Sequence, residues 1–315
     1  MESLVSIIIP LYNRENLIIE TLKSIRNQSY EKWECIIIDD HSTDNGFEMV
    51  KKFIDNDNRF TINKRPSNRP KGANACRNYG LEIAKGNYIN WFDSDDIMHP
   101  DFILEKLKFF KNKELDGVIS KTAIFTDDPT NIKTRETRTK LTESSLEDFL
   151  SLKIAWYLPD VMWKRSFLNE KILFDEELMA GQDRDFHANM LLHDPKLIVI
   201  DKYLTLYRKH DENLTSNIDN LENVRLKISH MHSVEKLVNH IDKKGKLTNG
   251  MRVGLFSAMI KYLPFTMHNK SDFNILRSLL KKLSFFNFSI MIGWLKFYTA
   301  KLSYKLFGKG SRLLR

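Results

Sequence analysis

Acidic, aromatic and basic side chains recur just after short apolar runs, and their types suit the handling of a nucleoside diphosphate. Pro10-Leu11-Tyr12-Asn13-Arg14 follows the run Val5–Ile9. Asp39-Asp40-His41-Ser42-Thr43-Asp44 follows Trp33–Ile38, Arg65 follows Phe60–Lys64, and Asp93-Ser94-Asp95-Asp96 follows Tyr88–Phe92. Tyr12 can stack on a base, because every base offers a π-face to an aromatic ring. Asp40 can accept a hydrogen bond from an imide N–H. Asp93 and Asp95 are hard oxygen donors; Mg²⁺ or Mn²⁺ takes one or two of these and completes its shell with phosphate oxygens and water. Lys71 and Arg77 are candidate phosphate contacts. Neither a G-x-G-x-x-G after a strand nor a G-x-x-x-x-G-K-[ST] occurs, which argues against a dinucleotide dehydrogenase and a P-loop NTPase.

These residues cooperate only if the elements carrying them converge. The β-branched runs alternate with stretches of helical periodicity. Leu17, Ile18, Thr21, Leu22 and Ile25 mark one helical face over 15–27, and further helices are expected near 46–54, 74–84 and 100–110. Strand–helix alternation predicts right-handed crossovers and a mostly parallel sheet covered on both faces. Its strands then end on one edge, where open α/β sheets bind ligands, so four loops distant in sequence share a crevice. Beyond it the sequence predicts a polar loop over 127–142, a strand near 161–163, a helix near 183–192 and two strands near 198–200 and 204–208. From Leu221 onward it predicts helices.

Six segments in order raise this to a resemblance: Val5-Ser-Ile-Ile-Ile-Pro-Leu-Tyr-Asn13, Ile36-Ile-Ile-Asp-Asp-His-Ser-Thr-Asp44, Gly72-Ala-Asn-Ala-Cys-Arg-Asn-Tyr-Gly80, Trp91-Phe-Asp-Ser-Asp-Asp96, Gly181-Gln-Asp-Arg-Asp185 and Tyr207-Arg-Lys-His210. Together they resemble the signature of family 2 glycosyltransferases of the GT-A fold, a Rossmann-like α/β architecture, over about two thirds of the chain. The resemblance implies inverting transfer of a sugar from a nucleotide sugar, usually UDP-linked, with Mn²⁺ or Mg²⁺. It implies that Pro10, Tyr12 and Asn13 line the nucleoside pocket and that Asp40 reads the uracil. Arg77 then lies near the diphosphate or holds the acidic loop, Ser94 lies in that loop, Asp93 faces ribose and metal, and Asp95 binds the metal. His210 approaches the metal or diphosphate from the far side. Asp183 becomes the general base, a sensible role because a sugar hydroxyl is a poor nucleophile until its proton is taken. Asp96, Trp156 and Gln182 are acceptor-side candidates. Two positions depart from the pattern: His41 stands where glycine is more usual, and Gln182 where glutamate is.

Each assignment has a structural counterpart. Tyr12 could pack; Asp39 and Asp40 could start a turn and cap a helix; Asp96 could cap the following helix. Asp183 and Asp185 could be first-turn carboxylates favoured by the helix dipole. Trp156 and Tyr157 could form an acceptor platform or simply core. His210 could be structural, and Lys71 merely solvated.

The 315-residue chain carries a net charge of +8 unevenly: residues 1–220 hold 31 Lys+Arg against 37 Asp+Glu, and residues 221–315 hold 18 against 4. A mildly acidic catalytic body over 1–215 and a basic helical region over 216–315 are expected. Leu295, Tyr298, Leu302 and Leu306 form an apolar stripe beside Lys301, Lys305 and Lys309, after Phe285, Phe286, Phe288 and Trp294. That pattern suits a helix at an anionic membrane surface over 273–315, the alternative being a helix packed on the body or on a second subunit. Cys35 and Cys76 cannot form a disulfide framework, and the amino terminus has no basic n-region, so a cytoplasmic protein, peripheral at the inner face of a bacterial membrane, is expected. The acceptor implied is a glycan or lipid-linked glycan of a surface polysaccharide. No specific nucleic-acid partner is indicated, and the oligomeric state stays open. The competing reading is an inactive GT-A-like module that binds anionic lipid or nucleic acid through its basic tail.

Overall fold

The computed structural model describes residues 3–307 except 112–113, 127, 135–137, 170, 172, 210–220 and 268. In chain order the elements are β1 (Val5–Leu11), α1 (Ile18–Arg26), β2 (Trp33–Asp39), α2 (Gly46–Ile54), β3 (Phe60–Lys64), α3 (Ala73–Ile83), β4 (Tyr88–Trp91), β5 (Ile97–Met98), α4 (Phe102–Phe110) and β6 (Gly117–Phe125). There follow α5 (Ser145–Leu150), β7 (Val161–Lys164), α6 (Arg165–Leu168), α7 (Gln182–Leu191), β8 (Leu197–Arg208), α8 (Leu221–Lys243), α9 (Asn249–Met259), α10 (Leu263–Thr266), α11 (Lys270–Leu283) and α12 (Phe288–Phe307).

Among the described residues one eight-stranded sheet runs in the order β3-β2-β1-β4-β7-β6-β8-β5. The β3-β2-β1-β4 half is parallel, β7 is antiparallel to both its neighbours, β6 and β8 are parallel, and β5 is antiparallel to β8. The sheet is therefore mixed, its parallel part being the half that the alternating sequence describes. Leu11 sits opposite Asp39, and Asp39 opposite Lys64, so β1, β2 and β3 end in register.

Central strands of a parallel sheet are covered on both faces and read as unbroken apolar runs. Val5, Ile7, Ile9 and Leu11 point into one core with Ile18, Leu22 and Ile25 of α1 and Phe102 and Ile103 of α4, all fully buried. Each such Leu or Ile contributes about 1.5–3 kcal/mol of burial. Ile8 and Ile38 face α3, whose Gly80 lies so close that an added Cβ would stand 2.3 Å from Ile8 Cγ2.

Three local expectations change. The fourth helix begins at Phe102, two residues after Pro100. The two strands anticipated over 198–208 are one twelve-residue strand, β8, paired with β6 across register shifts at Lys121. β6 itself is absent from the expectations, because Ser120, Lys121 and Thr122 break its apolar run; the register shift at Lys121 leaves Ser120 and Thr122 both buried.

Contacts divide the chain into two compact units: Met1–Glu143 with Ile154–Glu177 and Asn189–Asn213, and Ser144–Lys153 with Leu178–Ala188 and Leu214–Arg315. The sheet lies in the first. In the second, α8, α9, α11 and α12 pack around Val234, Leu237, Leu255, Phe256, Leu280 and Phe297, all buried.

Candidate active site

In the first unit, the ends of β1, β2, β3 and β4 carry the polar loops. Asn13 takes φ 49°, a left-handed conformation that asparagine tolerates. Its side chain accepts from Thr43 N–H at 2.8 Å and its N–H donates to Ser42 Oγ at 3.1 Å, stitching the β1 loop to the β2 loop. Asp39 is buried and accepts from Ser42 N–H. His41 holds the left-handed position where glycine is more usual, at φ 58°, and its Nε2 lies 3.0 Å from the carbonyl of Arg65.

Asp40 is buried and ion-paired with Arg65, Nε to Oδ1 2.5 Å, with the two side chains 5% and 7% exposed. Arg65 also donates to the carbonyls of Pro66 and Arg69. Tyr12 is exposed beside Pro10, and Lys71 Nζ lies 2.8 Å from its hydroxyl and 4.0 Å from its ring centroid. Lys71 is thus a cation–π partner of the candidate stacking ring, a role its sequence context gives no sign of.

The acidic loop after β4 is held by arginines from elsewhere in the chain. Arg77, buried on α3, donates to Asp93 Oδ1 at 2.9 Å and to Asn74 Oδ1 at 3.3 Å. Arg14 Nε lies 3.2 Å from Asp95 Oδ2. Ser94 is buried, and its carbonyl accepts from Thr21 Oγ1 of α1 at 3.2 Å. Arg208, at the end of β8, donates its N–H to Asp96 Oδ1 at 2.9 Å, its Nε to the Asp95 carbonyl at 2.9 Å, and pairs with Glu20 at 2.5 Å. Asp96 is 2% exposed, and burial, reinforced by Asp93 and Asp95, holds its carboxyl well above the usual range. Neither Asp96 nor Trp156, 5% exposed, presents a surface to an acceptor in this conformation.

Pro10, Tyr12, Asn13, Asp40, Arg77, Asp93, Ser94 and Asp95 are therefore brought to one end of the parallel strands. Sequence reasoning gave no role to the partners Arg14 and Arg208, although Arg14 closes the cluster after β1 and Arg208 stands inside the Tyr207-Arg-Lys-His210 segment. Among the described residues, no group of three or more His, Cys, Asp or Glu side chains could hold a metal. Asp93 and Asp95 keep 33% and 20% of their side chains exposed, and two hard, accessible carboxylates fit a divalent cation whose other ligands are phosphate oxygens. His210 lies outside the described residues.

Gln182 and Asp183 belong to the second unit, in the first turn of α7, and are half-buried. Asp185 follows in the same turn, buried, and accepts from Ser233 Oγ of α8 at 3.0 Å. Carboxylates there gain from the helix dipole.

The profile described as Glycosyl transferase family 2 matches residues 6–173. A poly(ribitol-phosphate) beta-glucosyltransferase of Bacillus spizizenii is 32% identical over 205 residues, 63% of this chain and 31% of that protein. The chain spans under half the length of two curated glycosyltransferases it matches, 31% of this one and 44% of another. The crystal structure of S. aureus TarS 1-349 in complex with UDP-GlcNAc superimposes with a TM-score of 0.60 at 17% identity, covering 96% of this chain and 92% of that one. The mannosyltransferase PcManGT from Pyrobaculum calidifontis, in complex with GDP-Man and Mn²⁺, gives 0.54 at 15% identity, covering 98% and 84%. These likenesses show the fold to be GT-A.

Proposed function

The chain belongs to glycosyl transferase family 2, and on that premise we propose that it transfers a sugar, with inversion, from a UDP-sugar to a hydroxyl of a glycan or lipid-linked glycan in bacterial surface polysaccharide synthesis. The observation that carries this reading is the convergence of Tyr12, Asp40, Asp93 and Asp95 at the carboxyl ends of β1, β2 and β4. In this reading Tyr12 stacks on the uracil and Asp40 accepts from its imide N–H, while Pro10 and Asn13 shape the pocket wall. Arg77 orients Asp93 toward ribose and diphosphate. Asp93 and Asp95, with His210, would hold Mn²⁺ or Mg²⁺, which when bound offsets charge on the departing diphosphate. Asp183 removes the acceptor proton as the hydroxyl attacks the anomeric carbon opposite the leaving UDP, and Gln182 beside it belongs to the acceptor side. In-line displacement inverts the centre in one step and needs no enzyme nucleophile.

The poly(ribitol-phosphate) beta-glucosyltransferase named above supports a polymer acceptor, and the intact Asp93, Asp95 and Asp183 count against an inactive module. Peripheral attachment to an anionic membrane face is supported by α12 and the bend that precedes it. Phe286, Phe288, Leu295 and Leu302 are 95%, 75%, 66% and 58% exposed, whereas Ile290, Phe297 and Ala300 of the opposite face are buried. After Asp272 the sequence has nine Lys or Arg and no acid. Among the described residues no helix is long and apolar enough to cross a membrane, and an exposed apolar face flanked by lysines suits one that lies on it.

Two variants test the reading. UDP should raise the melting temperature further with Mn²⁺ present, and Asp95→Ala should remove that increment; a variant that keeps it removes Asp95 as a metal ligand. Asp183→Asn should bind UDP as the wild type does but lose turnover; retained turnover removes Asp183 as the base.

A further inference from the structure

A general base acts only when its carboxylate is held to a fraction of an ångström, and a misplacement of about 1 Å costs on the order of a hundredfold in rate. Asp183 has no rigid strand beneath it. It starts a helix, so its position depends on what fixes the backbone on either side of it. Within the second unit, among the described residues, three of those fixings come from α8. Met179 N–H donates to Ser229 Oγ at 2.9 Å. Gly181 takes φ 78°, and a Cβ there would stand 2.3 Å from His230 Cδ2, so the imidazole packs directly on the glycine backbone. His230 Nδ1 is in turn 2.5 Å from the hydroxyl of Tyr262. On the far side of Asp183, Ser233 Oγ donates to Asp185 Oδ1 at 3.0 Å, with both residues buried. Arg184 donates to the carbonyl of Leu150. Ser229 and Ser233 are spaced i, i+4 and His230 and Ser233 i, i+3, so Ser233 neighbours both on one side of α8. Their contacts at 179, 181 and 185 bracket Gln182 and Asp183.

We propose that Ser229, His230 and Ser233 of α8 are positioning residues for the acceptor-side carboxylate, so that the basic carboxy-terminal region serves catalysis as well as attachment. The inference rests on the reading of Asp183 as the base. Ser229 and Ser233 pin the two flanks of the α7 start, and His230, half-buried against it, is the surface on which Gly181 turns. None of the three touches the donor in this account, so their loss should leave nucleotide binding alone.

The test uses the full-length chain with the UDP-sugar that raises its melting temperature most, and reads UDP release with water as the acceptor. The double variant Ser229→Ala/Ser233→Ala should lower kcat by tenfold to a hundredfold, leave KM for the donor and the UDP-induced melting shift unchanged, and increase amide exchange over 179–186. Restoring the hydroxyl with Ser233→Thr in the Ser229→Ala background should recover most of the rate. His230→Asn, which keeps a polar group but withdraws the ring from Gly181, should repeat the kcat loss. An unchanged kcat in the double variant, while Asp183→Asn is inactive, overturns the positioning role and leaves the base standing. A parallel loss of the UDP shift overturns it too, as general damage. Turnover by Asp183→Asn removes the premise, and the inference with it.

Discussion

The buried pair Asp40–Arg65 separates what this site does for the fold from what it does for a ligand. At 2.5 Å, with both side chains under a tenth exposed, the two charges are desolvated and depend on each other. Removing one partner of such a pair costs about 3–5 kcal/mol, because the other stays buried and uncompensated. Asp40→Asn retains an oxygen for Arg65, and Arg65 keeps its carbonyl partners at Pro66 and Arg69, so the lower end applies, about 3 kcal/mol. At roughly 2–4 °C per kcal/mol for a chain of a few hundred residues, the melting temperature should fall by about 10 °C. Replacing both groups in Asp40→Asn/Arg65→Met removes both charges together, an exchange often near neutral in stability, and should return most of that loss. UDP affinity should not return with it. Loss of a charged acceptor for the uracil imide should weaken UDP by tenfold to a hundredfold, or about 1.5–3 kcal/mol. Thermal melting and calorimetric titration with UDP read the two effects separately. A single variant as stable as wild type refutes the desolvated pair. A stable double variant that binds UDP normally refutes uracil reading by Asp40 and leaves the pair purely structural.

Two further outcomes follow from buried groups. Burial pushes the Cys76 thiol up to about 12 and holds Cys35 well above its usual value, so at pH 8 an aromatic disulfide reagent should titrate neither thiol in the native chain and both after denaturation; a thiol reacting natively within minutes contradicts that burial. Burial, with Arg184 nearby, draws the His230 imidazole down to about 4. The unfolded chain therefore takes up this proton first. The stability it conserves is complete above about pH 6.5 and is lost as pH falls toward 4, by roughly 3 kcal/mol in all. Melting curves of wild type and His230→Gln between pH 7 and 4 should converge toward the acid end, and parallel curves would show that the imidazole is not buried as a neutral group.

The amino-acid sequence by itself determined the strand-helix rhythm of the parallel half, the residues that end each strand and, through register, their arrival at one edge. Those features are local: a β-branched run, a turn residue and an amphipathic stretch carry their meaning within ten residues. It also determined the helical, basic character of the region after Leu221. Tertiary structure alone decided how the carboxylates are held. Arg14 meets Asp95 across 81 residues, Arg208 meets Asp96 across 112 and Ser233 meets Asp185 across 48. No periodicity encodes such pairs; they exist because segments distant in the chain pack against one another. The same holds for β6, whose interrupted apolar run becomes a strand through its pairing with β7 and the irregular ladder it forms with β8. The burial of Asp96 and Trp156 is likewise a tertiary fact, since an acidic loop or an indole reads alike in sequence whether it faces solvent or core, and only the packing around it fixes the difference.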